Sequence, residues 1–409
     1  MKEPNEVKCS FCGKSYREVN KIITGPDGVY ICDECVKKAY RLILEYENEK
    51  NSIRTKKDIP TPSEIFKELE AYIIGHEEAK KIISVAVYNH YKRIFSYDSD
   101  GIIEKSNILL IGPTGSGKTL FAKALSNIMD VPFAIADATS ITEAGYVGED
   151  VETVIQRLLQ IADYDVKKAE EGIAYIDEID KIARIGDNPS ITRDVSGEGV
   201  QQGLLKILEG TIANIPPSGI RKNPNQNFIR VNTNDVLFIG GGTFDGLEKI
   251  ISKRINVRMI GFRDKILKKE TLKVIPEDLI KFGMIPEFIG RFPVIVGLSK
   301  LSREEMIRIL VEPKNALVKQ YKKMFAIDGV ELEFEESALS YVADKAFELN
   351  IGARGMRSVL EHSMFELMYY IPQMEDIAKC VIDKDFLEGK SFPVLLNSSG
   401  SRVYIKKIA

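Results

Sequence analysis

The 409-residue chain has no apolar run of the ~18 residues that a membrane-crossing helix needs. Its first residues are polar and charged rather than signal-like, so neither secretion nor membrane insertion is expected, and the cytoplasm is the default compartment. Only five cysteines are present, too few to staple a chain this long with disulfides. A net charge of −3 gives no overall pull towards nucleic acid or an anionic membrane, and no basic stripe interleaved with aromatics supplies a local one. What remains is a soluble globular composition, 44% apolar and 29% charged, at a length that suggests two or three domains.

The strongest local signal is Gly112-Pro113-Thr114-Gly115-Ser116-Gly117-Lys118-Thr119. An apolar run ending at Ile111 precedes it and a helical pattern from Leu120 to Met129 follows, which is the context of a phosphate-binding P-loop. Backbone N–H groups in such a turn converge on an anion, and the positive end of the helix adds to the attraction. Lys118 is placed to reach the outer phosphates of a nucleoside triphosphate, and the Thr119 hydroxyl to hold Mg²⁺. A kinase, a GTPase or a transporter ATPase would fit this motif alone.

A second buried run, Gly172-Ile-Ala-Tyr-Ile, ends in Asp177 and Glu178. At the carboxyl end of a strand beside a P-loop, Asp177 is placed to hold Mg²⁺ and Glu178 to polarise the attacking water. Val236–Ile239 reads as a further core strand ending in a polar glycine-rich turn, Gly240–Thr243. Alternating strands and helices imply an α/β domain, a mostly parallel sheet covered on both faces, over residues 63–298. Within it, helices are expected from Ser63 as N-cap, over 76–95 with Ala79, Ile82, Ile83, Ala86 and Val87 on one face, and over 150–168. Residues 299–409 read as a smaller, mainly helical α+β domain. Its expected helices span 303–324, 335–349 and 353–370, and its strands 330–334, 379–383 and 403–407.

Four of the five cysteines form two knuckles, Cys9-x₂-Cys12 and Cys32-x₂-Cys35. The pair can close on one tetrahedral Zn²⁺, although redox pairs or free thiols use the same spacing. Residues 1–47 are too few to fold on apolar burial alone, so metal would decide whether this domain exists. Residues 48–62, polar, basic and proline-bearing, read as a linker. Cys380 reads as a packed thiol.

Together with Gly145-Tyr146-Val147-Gly148, Pro286-Glu-Phe-Ile-Gly-Arg291-Phe and Gly352-Ala-Arg354-Gly-Met-Arg357, these motifs follow one another in the order of the ClpX family, which the chain resembles over nearly its whole length. The resemblance implies an AAA+ fold and an ATPase that works as a homohexamer, using ATP, Mg²⁺ and Zn²⁺. Such a ring unfolds proteins carrying degradation tags, helped by adaptor proteins, and passes them to the ClpP peptidase. It implies that Arg291 is an arginine finger, that Arg354 senses the nucleotide, that Tyr72, Ile73 and Ile74 lie where the family packs the adenine base, and that Leu120 belongs to the nucleotide-binding residues. Tyr146 and Val147 would grip substrate in a central pore, with Arg193 on a second pore loop. Arg221 and Lys222 would meet the tag, although Asn223 stands where the family often has histidine. Ile260-Gly261-Phe262 would dock on ClpP; a short apolar tripeptide suits a cleft on a partner. No nucleic acid or membrane partner is implied.

Overall fold

The computed structural model describes residues 7–40, 42, 59–95, 103–142, 149–184, 197–216, 228–258, 273–349, 352–374 and 376–403. Tyr146, Val147, Arg193, Arg221, Lys222, Ile260, Gly261 and Phe262 lie outside the described residues. The chain divides into two units, 1–59 and 60–409.

In the first unit an antiparallel hairpin pairs Ile22–Thr24 with Tyr30–Cys32, and a helix, 33–40, follows directly. The opposite knuckle closes through Gly13 N–H to Cys9 O and Cys9 N–H to Lys14 O, both 2.8 Å, with Gly13 in the left-handed region at φ 78°. Few large apolar side chains are buried here, while Phe11, Tyr16, Tyr40 and Leu42 stay exposed.

The second unit opens with the helix Pro62–Glu70. Its cap is Thr61 rather than Ser63: Pro62 sets the first helical φ, and Thr61 and Glu64 form a capping box. The next helix, Glu77–Phe95, buries Ala79, Ile83, Ala86 and Val87, but Ile82 is 40% exposed and sits on the rim of that face.

Five parallel strands form the central sheet: β1 Ile108–Ile111, β2 Phe133–Asp137, β3 Ile173–Asp177, β4 Leu237–Gly242 and β5 Val294–Gly297. They lie in the order β2-β3-β4-β1-β5. β1 and β4, covered on both faces, are buried throughout, whereas the edge strand β2 alternates and leaves Ile135 exposed. β1 runs into the P-loop and β3 into Asp177. Both motifs therefore reach the same edge, the carboxyl ends of the strands, where open α/β sheets bind ligands.

Residues 240–242 are strand and not the expected turn. A Cβ on Gly241 would lie 2.0 Å from Tyr175 Oη, and one on Gly242 2.5 Å from the Phe244 ring, so glycine is needed for β3, β4 and the following turn to pack together. The helix expected over 150–168 is two, Thr153–Ile161 and Val166–Glu170. Asp163 and Tyr164 between them take positive φ, and Asp165 caps the second.

A separate buried cluster organises the C-terminal lobe, with Met306, Leu310, Tyr321, Phe325, Val342 and Leu360 among its members. Its sheet runs Glu331–Phe334, Lys379–Ile382, Val394–Leu396, Arg402–Val403, the first pair parallel and the others antiparallel. The helix expected over 303–324 breaks into Arg303–Val311 and Leu317–Ile327 at Pro313, which has no N–H to continue the helical hydrogen bonding, while Glu312 before it keeps helical φ and ψ. Cys380 is buried in this core, and burial pushes its thiol up to about 12. Among the described residues no helix is long and apolar enough to cross a membrane.

Candidate functional sites

The P-loop is anchored at its start by Gly112 N–H to Gly242 O, 3.1 Å, and by Leu298 N–H to Ile111 O, 2.6 Å. A Cβ on Gly112 would meet Leu298 O at 2.7 Å, so only glycine fits under that strand end. Gly115 and Gly117 take φ of 76° and 100°, which lets the chain curl back on itself. The helix Lys118–Met129 then begins with no side-chain cap, so its first N–H groups remain available to an anion.

Lys118 Nζ donates to Gly112 O at 2.6 Å and Pro113 O at 3.1 Å, folding over its own loop. Burial lowers its proton affinity, and the nearby Asp177 and Asp180 carboxylates oppose that shift. The Ser116 hydroxyl is buried without a hydrogen-bond partner, an opening that a phosphate oxygen or a water can fill. The loop therefore fits a nucleoside polyphosphate by curvature, free donors and one cation at its mouth.

Asp177 is held from three directions. Thr119 Oγ1 donates to its Oδ2 at 3.4 Å; Tyr175 Oη, at 3.1 Å, and the Glu178 N–H, at 3.0 Å, donate to Oδ1. Burial raises the Tyr175 pKa, which keeps the phenol a neutral donor. Glu178, the next residue, is exposed and takes left-handed backbone geometry at φ 53°. Asp180 Oδ1 accepts from Thr243 N–H at 3.0 Å and ties this corner to the end of β4. The P-loop and the acid pair meet as the motifs predict. Tyr175 and Asp180 went unnoticed in the sequence because each looks like a strand or turn residue.

Ile73 and Ile74 are buried just before the helix Glu77–Phe95. From the other lobe, Gly352 lies against the P-loop: a Cβ there would be 3.0 Å from Thr114 O, and Ala353 N–H points to Gly115 O at 3.4 Å. The adjacent Arg354 is exposed, and its charge acts on both Lys118 and Tyr175. Arg291 is elsewhere, its guanidinium 2.6 Å from Glu209 with the side chains 48% and 41% exposed.

Ser140–Thr142 and Glu149 flank the segment that contains Tyr146. They pair through Glu149 N–H to Ser140 O and Thr142 N–H to Glu149 O, both 3.0 Å. Arg157 donates to Glu149 at 2.5 Å and to Ile135 O at 3.0 Å, tying those stems to β2. No sequence signal separates Arg157 from an ordinary surface arginine.

In the first unit the sulfurs of Cys9, Cys12, Cys32 and Cys35 lie within 4.8 Å of one another, with Cys12 and Cys32 Sγ 3.6 Å apart. Four thiolates at ~2.3 Å from one Zn²⁺ need about this spacing. The donor set fits a closed structural zinc site.

Comparison with known proteins agrees with this geometry. Residues 7–45 match the ClpX C4-type zinc finger, residues 103–295 the AAA domain of the Cdc48 subfamily, and residues 301–379 the C-terminal D2-small domain of ClpB. The ATP-dependent Clp protease ATP-binding subunit ClpX of Bacteroides thetaiotaomicron is 53% identical over 89% of this chain and 91% of its own length. The chain belongs to the ClpX family. ClpX of Borrelia duttonii is 54% identical over 92% of the chain and 90% of its own length. For ClpX of Porphyromonas gingivalis the identity is 49%, over 95% and 97%. A P-loop and an acid pair in an AAA domain of the ClpX family make the chain an ATPase, and the ClpX zinc finger carries its four cysteines as the Zn²⁺ site.

Proposed function

We propose that the chain is an ATP-driven protein unfoldase and translocase that acts as a ring of six copies and feeds tagged proteins to the ClpP peptidase. Support for the ring comes from Arg291. The P-loop, Asp177 and Glu178 are brought together within one chain, whereas Arg291 pairs with Glu209 instead. A site that binds phosphate and positions water but takes its finger from a neighbour hydrolyses ATP only when assembled.

In this reading the domains are 1–47, 48–62, 63–298 and 299–409, the second being a linker. Lys118 and the loop amides hold the phosphates, Thr119 and Asp177 hold Mg²⁺, and Glu178 orients water. Arg354 transmits phosphate loss to the second lobe, whose Gly352 already touches the loop. Tyr146 and Val147 grip an extended polypeptide, Arg193 and the Arg221–Lys222 pair line its path, and Ile260-Gly261-Phe262 docks on ClpP. Adaptors bind the zinc unit, and the compartment is the cytoplasm.

The test is ATP-dependent degradation of a stably folded, tagged protein with and without ClpP, for the wild type and Glu178→Gln. The wild type should degrade it only with ClpP. Glu178→Gln should bind ATP yet lose hydrolysis and unfolding together; retained turnover would refute the role of Glu178.

A further inference from the structure

The turn that precedes the helix Glu77–Phe95 touches both lobes. His76 Nε2 lies 3.1 Å from Ser116 O of the P-loop. A carbonyl oxygen can only accept, so Nε2 carries the proton. His76 is itself in the left-handed region at φ 56°, and its carbonyl accepts the first bond of the helix from Lys80 N–H at 2.9 Å. Its ring packs beside Phe121, centroids 6.1 Å apart. On the other side Gly75, at φ 72°, lies against the carboxylate of Glu305 from the helix Arg303–Val311, whose Oε1 would be 2.2 Å from a Cβ placed there.

The chain has no cis peptide among its described residues, and in a trans peptide the C=O and N–H point in opposite directions. Fixing the Ser116 carbonyl on His76 therefore fixes the Gly117 N–H on the far side of the same peptide. Gly117, at φ 100°, has no side chain of its own to hold that orientation, and the neighbouring Ser116 hydroxyl is unpartnered.

We propose that His76 is a positioning residue for the phosphate loop, which donates to Ser116 O so that the Gly117 N–H is presented to a bound nucleotide phosphate. Glu305, packed on Gly75, sets where His76 stands, so the same turn links phosphate binding to the C-terminal lobe. The inference rests on the ATP site of the proposed function.

Burial holds the imidazole neutral near pH 7. Glu305 from the C-terminal lobe opposes this, as does Glu77 on the adjoining helix, while Lys80 on that helix reinforces it. Protonation at lower pH places a cation one hydrogen bond from the loop.

The test is equilibrium titration of fluorescently labelled ADP with Mg²⁺ on the full chain, from pH 5.5 to 8, for wild type, His76→Gln and His76→Ala, each checked by thermal melting. At pH 7.5 Gln, whose amide also donates, should bind within about twofold of wild type. Ala should bind about tenfold more weakly, the order expected for one misaligned charge-assisted hydrogen bond. Equal binding by Ala and wild type, or a Gln variant as weak as Ala, would each overturn the proposal. A wild type that binds no nucleotide at any pH would instead remove the proposed function beneath it.

Discussion

Gly241→Ala puts the packing behind the acid pair to a direct test. The added methyl would lie 2.0 Å from Tyr175 Oη and 2.7 Å from Cζ, with both residues buried on neighbouring central strands. Tyr175 cannot move aside at constant packing, so the substitution carries an overpacking cost of about 1–3 kcal/mol. If the ring shifts, the Tyr175–Asp177 hydrogen bond, 3.1 Å, goes with it, and a bond to a charged group is worth about 1.5–3 kcal/mol. The two terms overlap, which gives a loss of ~2–4 kcal/mol in chemical denaturation, read against Gly297→Ala. A Cβ on Gly297 meets nothing within 4 Å, so that control should stay within about 0.5 kcal/mol of wild type. ATP turnover should fall as well, because Asp177 loses one of its three supports. In the double variant with Tyr175→Phe the 2.0 Å contact disappears, so stability should recover in part while turnover does not. A Gly241→Ala protein as stable and as active as wild type would show that the β3–β4 contact does not support Asp177.

Two further expectations concern the remaining sites. Arg291→Ala removes only a half-exposed ion pair with Glu209, worth at most about 1 kcal/mol, so the melting curve should barely move while ATP turnover falls by about 10³-fold or more; unchanged turnover would remove the trans role. Stripping zinc with a chelator should unfold the hairpin of the first unit and make four thiols react rapidly, leaving the buried Cys380 slow. Retained hairpin signals without metal would contradict the metal-dependent fold.

The P-loop and the acid pair were legible in the sequence because each needs fixed residue types at fixed spacing between recognisable strands. The cysteine knuckles were legible for the same reason. Glycines misled where their function was packing: Gly240–Gly242 carry the composition of a turn, but in β4 they are gaps cut for Tyr175 and Phe244. Helix lengths were overestimated across Pro313 and across Asp163–Tyr164, where apolar periodicity continues through a local break. His76 and Arg157 left no local mark at all. Their partners are the Ser116 carbonyl, forty residues on, and Ile135 O with Glu149, and backbone acceptors have no letter in a sequence.

The contact between Gly352 and the P-loop shares that property in a stronger form. It is backbone against backbone, with Thr114 O and Gly115 Cα on one side and a glycine on the other. Alanine scanning works by taking side chains away, and at this junction there are none to take. A conventional scan would pass over this backbone contact between the lobes; only a substitution that adds atoms, wedging the lobes apart, would register it.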